Sequence, residues 1–297
     1  MMRSEDDSEN RDIINSIIQR TIKETKAFYQ AHPEIKSSHG LQHVLAVYHH
    51  ALNAIESHEQ QHTQREHGHE HPHNTEKPLH HRPTQNPPAL TKQTCMEIQI
   101  ATLLHDVDDR KYFDQHTNHE NARHITLQAQ IPPTHLENIL EMIQLVSCST
   151  NGNHVPAYIQ EKSLHHLLIP RWSDRLEAVG AIGVVRSYQY NKEHNFPLSS
   201  ASSPRPQTIQ QVWEYATEGR FEAYQTSGES EDMISHYYDK LLHISRPPND
   251  LVRNKYLEEM AEVSSKELVE VCLRFGRTGI VDEEYIRGIA DGLGISL

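Results

Sequence analysis

The stretch LLHDVDD, residues 103 to 109, closes an apolar run with a histidine and three aspartates. Charged and titratable groups at the edge of a hydrophobic segment are costly to desolvate without partners, so other parts of the chain must join them. His43 shares a helix face with Val47, Ala51 and Ala54, positions spaced by three or four residues. His105 aligns in the same way with Ile98 and Ala101, with Asp106 one step around, and Asp174 stacks over Ala178, Ala181 and Val185. Taken singly, a histidine on an apolar face is commonly a hydrogen-bonded core residue. Together, His43, His105, Asp106 and Asp174 form a mixed nitrogen and oxygen set that suits Mn, Fe, Co, Ni or Zn and, less specifically, Mg. Without a thiolate, such a set leaves room for bound water.

The elements that must position these groups are helical by their periodicity. Ile and Phe recur at helical spacing over 11 to 30, and the apolar residues of 41 to 55 do so more strongly. The same pattern returns at 90 to 107, 117 to 130 and 134 to 147, and over 165 to 190 as one long segment containing Gly180 and Gly183. Glycine inside a helix is unfavourable by about 1 kcal/mol relative to alanine, so close packing of another helix is expected there. Residues 208 to 295 read as helices broken at Gly228, at RPPND and near Gly276. No alternating β-type run bounded by turn residues occurs, and the expected class is all-α.

Two segments lack this periodicity. Residues 58 to 89, rich in His, Gln and Pro, are expected to be a disordered insert, and NFPLSSASSPRPQ (195 to 207) a mobile loop. The insert's histidines have no spacing that would fix a metal geometry, so a loop is favoured over metal sequestration. The 297 residues, 36% of them hydrophobic, are expected to form a single domain, 1 to 297, carrying these inserts.

A formal charge of -13 excludes nucleic-acid binding through a broad basic surface. Cys95, Cys148 and Cys272 lie far apart without a CxxC spacing, which argues against a disulfide framework and for a reducing, cytoplasmic setting. The acidic beginning MMRSEDDSEN lacks the order of a secretory signal, and no apolar stretch is long enough to span a bilayer, so no membrane partner is expected.

With SHGLQHVLAV, LLHDVDDRKYF, DRLEAVGAIGVVRS and SHYYDKLLHI in this order, the chain resembles the HD-domain metal-dependent phosphohydrolases, nearest the small bacterial HD hydrolases acting on nucleotides. That family is defined by a His, a later His-Asp doublet and a distal Asp on separate helices, here His43, His105, Asp106 and Asp174. The sequence departs from the branch at Gly40, where an aspartate is usual, and near Trp172, where an acid is usual. The HDxGK extension of cyclic-dinucleotide phosphodiesterases is absent, with Asp109 and Arg110 in its place, which favours one metal per site: Mn, Co, Ni, Fe or Mg.

The resemblance implies an HD-type helical bundle and hydrolysis of a phosphate ester or anhydride in a small phosphorylated substrate. A nucleoside triphosphate cut to monophosphate and pyrophosphate is the expected case. The enzymatic alternative is a phosphomonoesterase on nucleoside monophosphates or other small phosphates, and the non-enzymatic one is a nucleotide-binding regulator. Asp109, three residues beyond Asp106, falls where related hydrolases place an acid that positions or deprotonates the water. Arg110, Lys111, Arg175 and Arg186 could bind phosphate oxygens, with Lys240 a further contact. His39 could support the ligands, donate to substrate, or cap the following helix.

Overall fold

The computed structural model describes residues 2–35, 39–67, 89–247 and 249–297, and among these every regular element is helical. The chain forms two compact units: Met1–Ser147, Val155–Ser173 and Pro248–Leu257 make the first, and Cys148–His154, Asp174–Pro247 and Glu258–Leu297 the second. No helix among the described residues is long and apolar enough to cross a membrane.

The first unit is built on α1 (Met2–Ala31), α2 (Leu41–His67), α3 (Lys92–Leu104), α4 (Glu120–Gln128) and α5 (Pro133–Val146). Helix α3 packs against α1, α2 and α5. It is apolar nearly all round, as a central helix must be: Ile98, Ile100, Ala101, Leu103 and Leu104 are fully buried. Its start is set by Thr91, whose hydroxyl accepts the amide of Thr94 at 3.0 Å. From α2, Val44, Val47, Ala51 and Ala54 are fully buried, and α5 adds Ile139 and Met142.

Helix α2 outruns its expected end and absorbs residues 58 to 67 of the presumed insert. Glu, Gln and Arg are good helix formers, Gln60 Nε2 donates to Glu56 Oε1 one turn back at 3.1 Å, and His58 is buried. Within the expected insert the first glycine is Gly68. The rest of the expected insert, 68 to 88, lies outside the described residues.

The boundary between the units falls inside α6 (Ile169–Val179), and the second unit continues with α7 (Ala181–Glu193), α8 (Ile209–Tyr215), α9 (Glu218–Ser227), most of α10 (Lys255–Thr278) and α11 (Glu283–Gly292). The single helix expected over 165 to 190 is divided. Gly180 is the extended residue that starts α7, and a Cβ on Gly183 would lie 2.2 Å from the carbonyl of Ala178, so the two glycines permit a sharp break. Gly228 ends α9 in the left-handed conformation at φ 73°, as its position predicts. Gly276, by contrast, interrupts nothing: it lies within α10, where a Cβ would meet the carbonyl oxygen of Pro206 at 1.8 Å.

That approach belongs to the segment 195 to 207, which is anchored throughout its length and so differs from the mobile loop expected. The amides of Met233 and Ile234 donate to the carbonyls of Pro197 and Leu198, each at 3.1 Å. Ser200 and Ser203 both donate to Oδ2 of buried Asp232 at 2.8 Å. Gln207 Nε2 donates to the carbonyl of Gly276 at 2.8 Å. Small, hydroxyl-rich composition looks flexible in sequence, but here the hydroxyls satisfy a buried carboxylate.

Candidate metal centre

Helix α3 stops at His105, and the acids that follow explain why. Aspartate side chains compete for backbone donors and favour turns over helix. Asp108 Oδ1 accepts the Asn121 amide at 2.9 Å and His116 Nδ1 at 2.8 Å, while Oδ2 accepts the Ala122 amide at 2.9 Å. Asp108 thereby caps α4, whose own N-cap residue, His119, is left-handed and makes no side-chain cap. Asn121 Nδ2 returns a bond to the carbonyl of Val107 at 2.7 Å. Asp109 Oδ1 accepts the Lys111 amide at 3.0 Å, and its carbonyl accepts the amides of Tyr112 and Phe113. Phe113 then packs on Phe28 of α1, with ring centroids 5.9 Å apart. The turn carrying Asp106 and Asp109 is thus bolted to α4 on one side and α1 on the other.

Within this frame His43 Nε2 and His105 Nε2 each stand 3.6 Å from Oδ2 of Asp106. The rings are 5.4 Å apart, both histidines are buried, and the Asp106 side chain is 19% exposed. The donor chemistry fits a metal ion. His105 Nδ1 lies 2.8 Å from the carbonyl of Thr102, which can only accept, so that nitrogen carries a hydrogen and Nε2 is the nitrogen turned toward the carboxylate. A ring neutral at Nε2 would present its lone pair to an ion bound beside Asp106. A backbone carbonyl fixing the far nitrogen is also the usual support for a metal-ligating imidazole. A separation of 3.6 Å exceeds hydrogen-bond range but matches ligands about 2.1 Å from a shared ion. His43, His105 and Asp106 therefore could hold a metal ion, and the helical fold with this cluster is compatible with an HD-type site.

A second group adjoins the first. Donor atoms of His39, Asp106 and Asp109 lie within 4.8 Å of one another. Asp109 Oδ2 stands 3.7 Å from His39 Nε2, and Lys111 Nζ lies 3.0 Å from that same nitrogen. Arg110 is exposed on the turn. Asp174, Arg175 and Arg186 belong to the second unit. There Arg175 is buried and donates to Asn153 Oδ1 at 2.8 Å and to the carbonyl of Gly152 at 2.5 Å. These contacts make it the anchor of a loop, a structural duty in place of the phosphate contact expected of it. Arg186 is partly buried on α7, and Lys240 Nζ lies over the ring of Tyr224 at 5.5 Å.

Two residues beside the centre escape sequence reasoning. Asp108 reads as one acid among three, yet it is the α4 cap. Tyr29 of α1 reads as an ordinary core position. Its buried phenol is pushed well above the usual range, first by burial and then by Asp106, Asp109 and Tyr112, so it lies within the electrostatic reach of the cluster. Periodicity marks Tyr29 as inward-facing but carries no signal of what it faces.

No protein-family model matches the chain. A solved structure from Lactobacillus plantarum, a structural genomics target, is similar with a TM-score of 0.50 at 17% identity, covering 89% of this chain and 95% of that one. At that identity the likeness is one of fold. An uncharacterized protein of Acanthamoeba polyphaga mimivirus is 34% identical over 199 residues, which are 63% of this chain and 79% of the viral protein. Sharing that identity over most of the viral protein's length, the chain belongs to the same family as this mimivirus protein.

Proposed function

We propose that the chain is an HD-type metal-dependent phosphohydrolase acting on nucleotides and cutting a nucleoside triphosphate to monophosphate and pyrophosphate. The observation that carries this reading is the convergence of two imidazole nitrogens, from His43 and His105, on one oxygen of Asp106, with Asp109, His39 and Lys111 beside it. A divalent ion bound there supplies polarisation of a phosphoryl oxygen and a lowered pKa for water. Asp174, the fourth ligand that the family resemblance implies, belongs to the second unit. Asp109 keeps Oδ1 on the Lys111 amide, which fixes the carboxylate and leaves Oδ2 to take the proton of the attacking water. Lys111, Arg110 and His39 offer N–H donors to phosphate oxygens, and the charged donors make the stronger bonds.

The test is incubation of the purified chain with a panel of nucleotides and Mn²⁺, Co²⁺, Ni²⁺ or Mg²⁺, followed by separation of products. Monophosphate with pyrophosphate is expected. Release of orthophosphate would replace this reading with a phosphomonoesterase, and nucleotide binding without any product would end the enzyme reading in favour of a regulator.

A further inference from the structure

Asp106 belongs to two sets of potential ligands at once: His43, His105 and Asp106 form one, and His39, Asp106 and Asp109 the other, with donor atoms in each set within 4.8 Å of one another. A carboxylate shared in this way is the layout of a pair of ions, which in two-metal hydrolases stand roughly 3.5–4 Å apart. In the second set, however, the chain places a cation of its own. Lys111 Nζ lies 3.0 Å from His39 Nε2 and 3.9 Å from Asp109 Oδ2. An ammonium has only hydrogens to give, so His39 must accept through Nε2, the same nitrogen that faces Asp109 at 3.7 Å.

The backbone holds this arrangement in place, since the Lys111 amide donates to the other oxygen of Asp109 at 3.0 Å. The lysine side chain is 66% exposed, so it lies at the open rim with its charged end turned to Asp109 and His39.

We propose that the ammonium of Lys111 occupies the second cation position, so that the centre takes one divalent ion and Lys111 is the cation that meets the outer phosphate of the substrate. This rests on the metal-centre reading above. A second divalent ion would have to displace the ammonium, because the single lone pair of His39 Nε2 cannot bind both.

The experiment loads the full chain with Mn²⁺ and reads electron paramagnetic resonance beside elemental analysis. Total metal alone is a poor readout in a chain with 24 histidines, whereas spin coupling reports only ions that share a ligand. The wild-type chain is expected to show an isolated ion at the centre. Lys111→Ala should acquire a second ion coupled to the first, Lys111→Arg should stay isolated, and KM for a triphosphate should rise about 10-fold in the alanine variant. A coupled pair in the wild type, or an uncoupled centre in Lys111→Ala, overturns the proposal and leaves the metal-centre reading standing. Absence of any Mn²⁺ signal dependent on His105 overturns both.

Discussion

Two aspartates show how differently this chain treats a carboxylate. Asp232 in the second unit is 2% exposed and closed by its surroundings: the hydroxyls of Ser200, Ser203 and Ser235 and the amide of Ser235 donate to it at 2.7 to 3.0 Å. Around Asp106 in the first unit, the Nε2 atoms of His43 and His105 stand at 3.6 Å, beyond hydrogen-bond range. The first carboxylate is a finished piece of structure, whose buried charge is met by the protein's own donors. The second has two imidazole nitrogens beside it at a spacing that ligands of a shared ion would take. Burial alone does not separate the two roles; the chemistry of the nearest groups does.

The largest effects should come from removing each carboxylate in turn. Asp106→Ala is expected to abolish metal binding and lower kcat/KM on the order of 1000-fold or more, since metal polarisation is worth several kcal/mol in the transition state. The melting temperature of its metal-free form should stay near that of the metal-free wild type. Asp232→Ala should do the reverse: a loss of about 3 kcal/mol of stability from stranded donors and the released loop, with metal content per folded chain unchanged. Elemental analysis and denaturant melts on the same preparations read both, and the contrast breaks if Asp106→Ala retains its metal or Asp232→Ala melts like the wild type.

A smaller effect is expected at Asp109. An asparagine keeps an oxygen for the Lys111 amide but cannot take a proton, so Asp109→Asn should hold its metal and lose about 100-fold or more in kcat with little change in KM. A metal-free variant would make Asp109 a ligand, and a fully active one would remove it from the chemistry.

The smallest effect is on pH dependence. Burial, assisted by Lys240, pushes His236 in the second unit down to about 3, and burial with His58 and His165 pushes His166 in the first down to about 4. Both fold in the neutral form, so their contribution is fully present above the unfolded value of about 6.5 and is lost as pH falls from there toward the folded values. Between pH 7 and 5 each should cost about 1–2 kcal/mol. Urea melts at the two pH values should show a shallower loss for His236→Gln than for the wild type. An equal loss would place the acid sensitivity elsewhere.

Much of the helical frame is legible in sequence because helix periodicity is local. The face of α2 bearing His43, Val47, Ala51 and Ala54, and the burial of Ile98 and Ala101 in α3, follow from spacing alone. So does the adjacency of His105 and Asp106. The errors share a physical cause, which is that the deciding partner is distant along the chain. The segment 195 to 207 looked mobile because the carboxylate that orders it, Asp232, is about 30 residues away. Gly276 looked like a helix break because nothing near it announces the backbone of Pro206. Arg175 looked available for phosphate because Asn153 and Gly152, which it holds, carry no charge that would advertise the contact.

The sequence by itself determined an all-α chain, the helices that would face inward, and the residue types able to gather around a cation. Tertiary structure decided which of the three acids after His105 does what: Asp106 turns to the histidines, Asp108 caps α4, and Asp109 shares its two oxygens between the turn and His39. Three chemically identical side chains within four positions differ only in direction. Direction is set where α3 ends against α1, α2 and the start of α4, by contacts that no local pattern encodes.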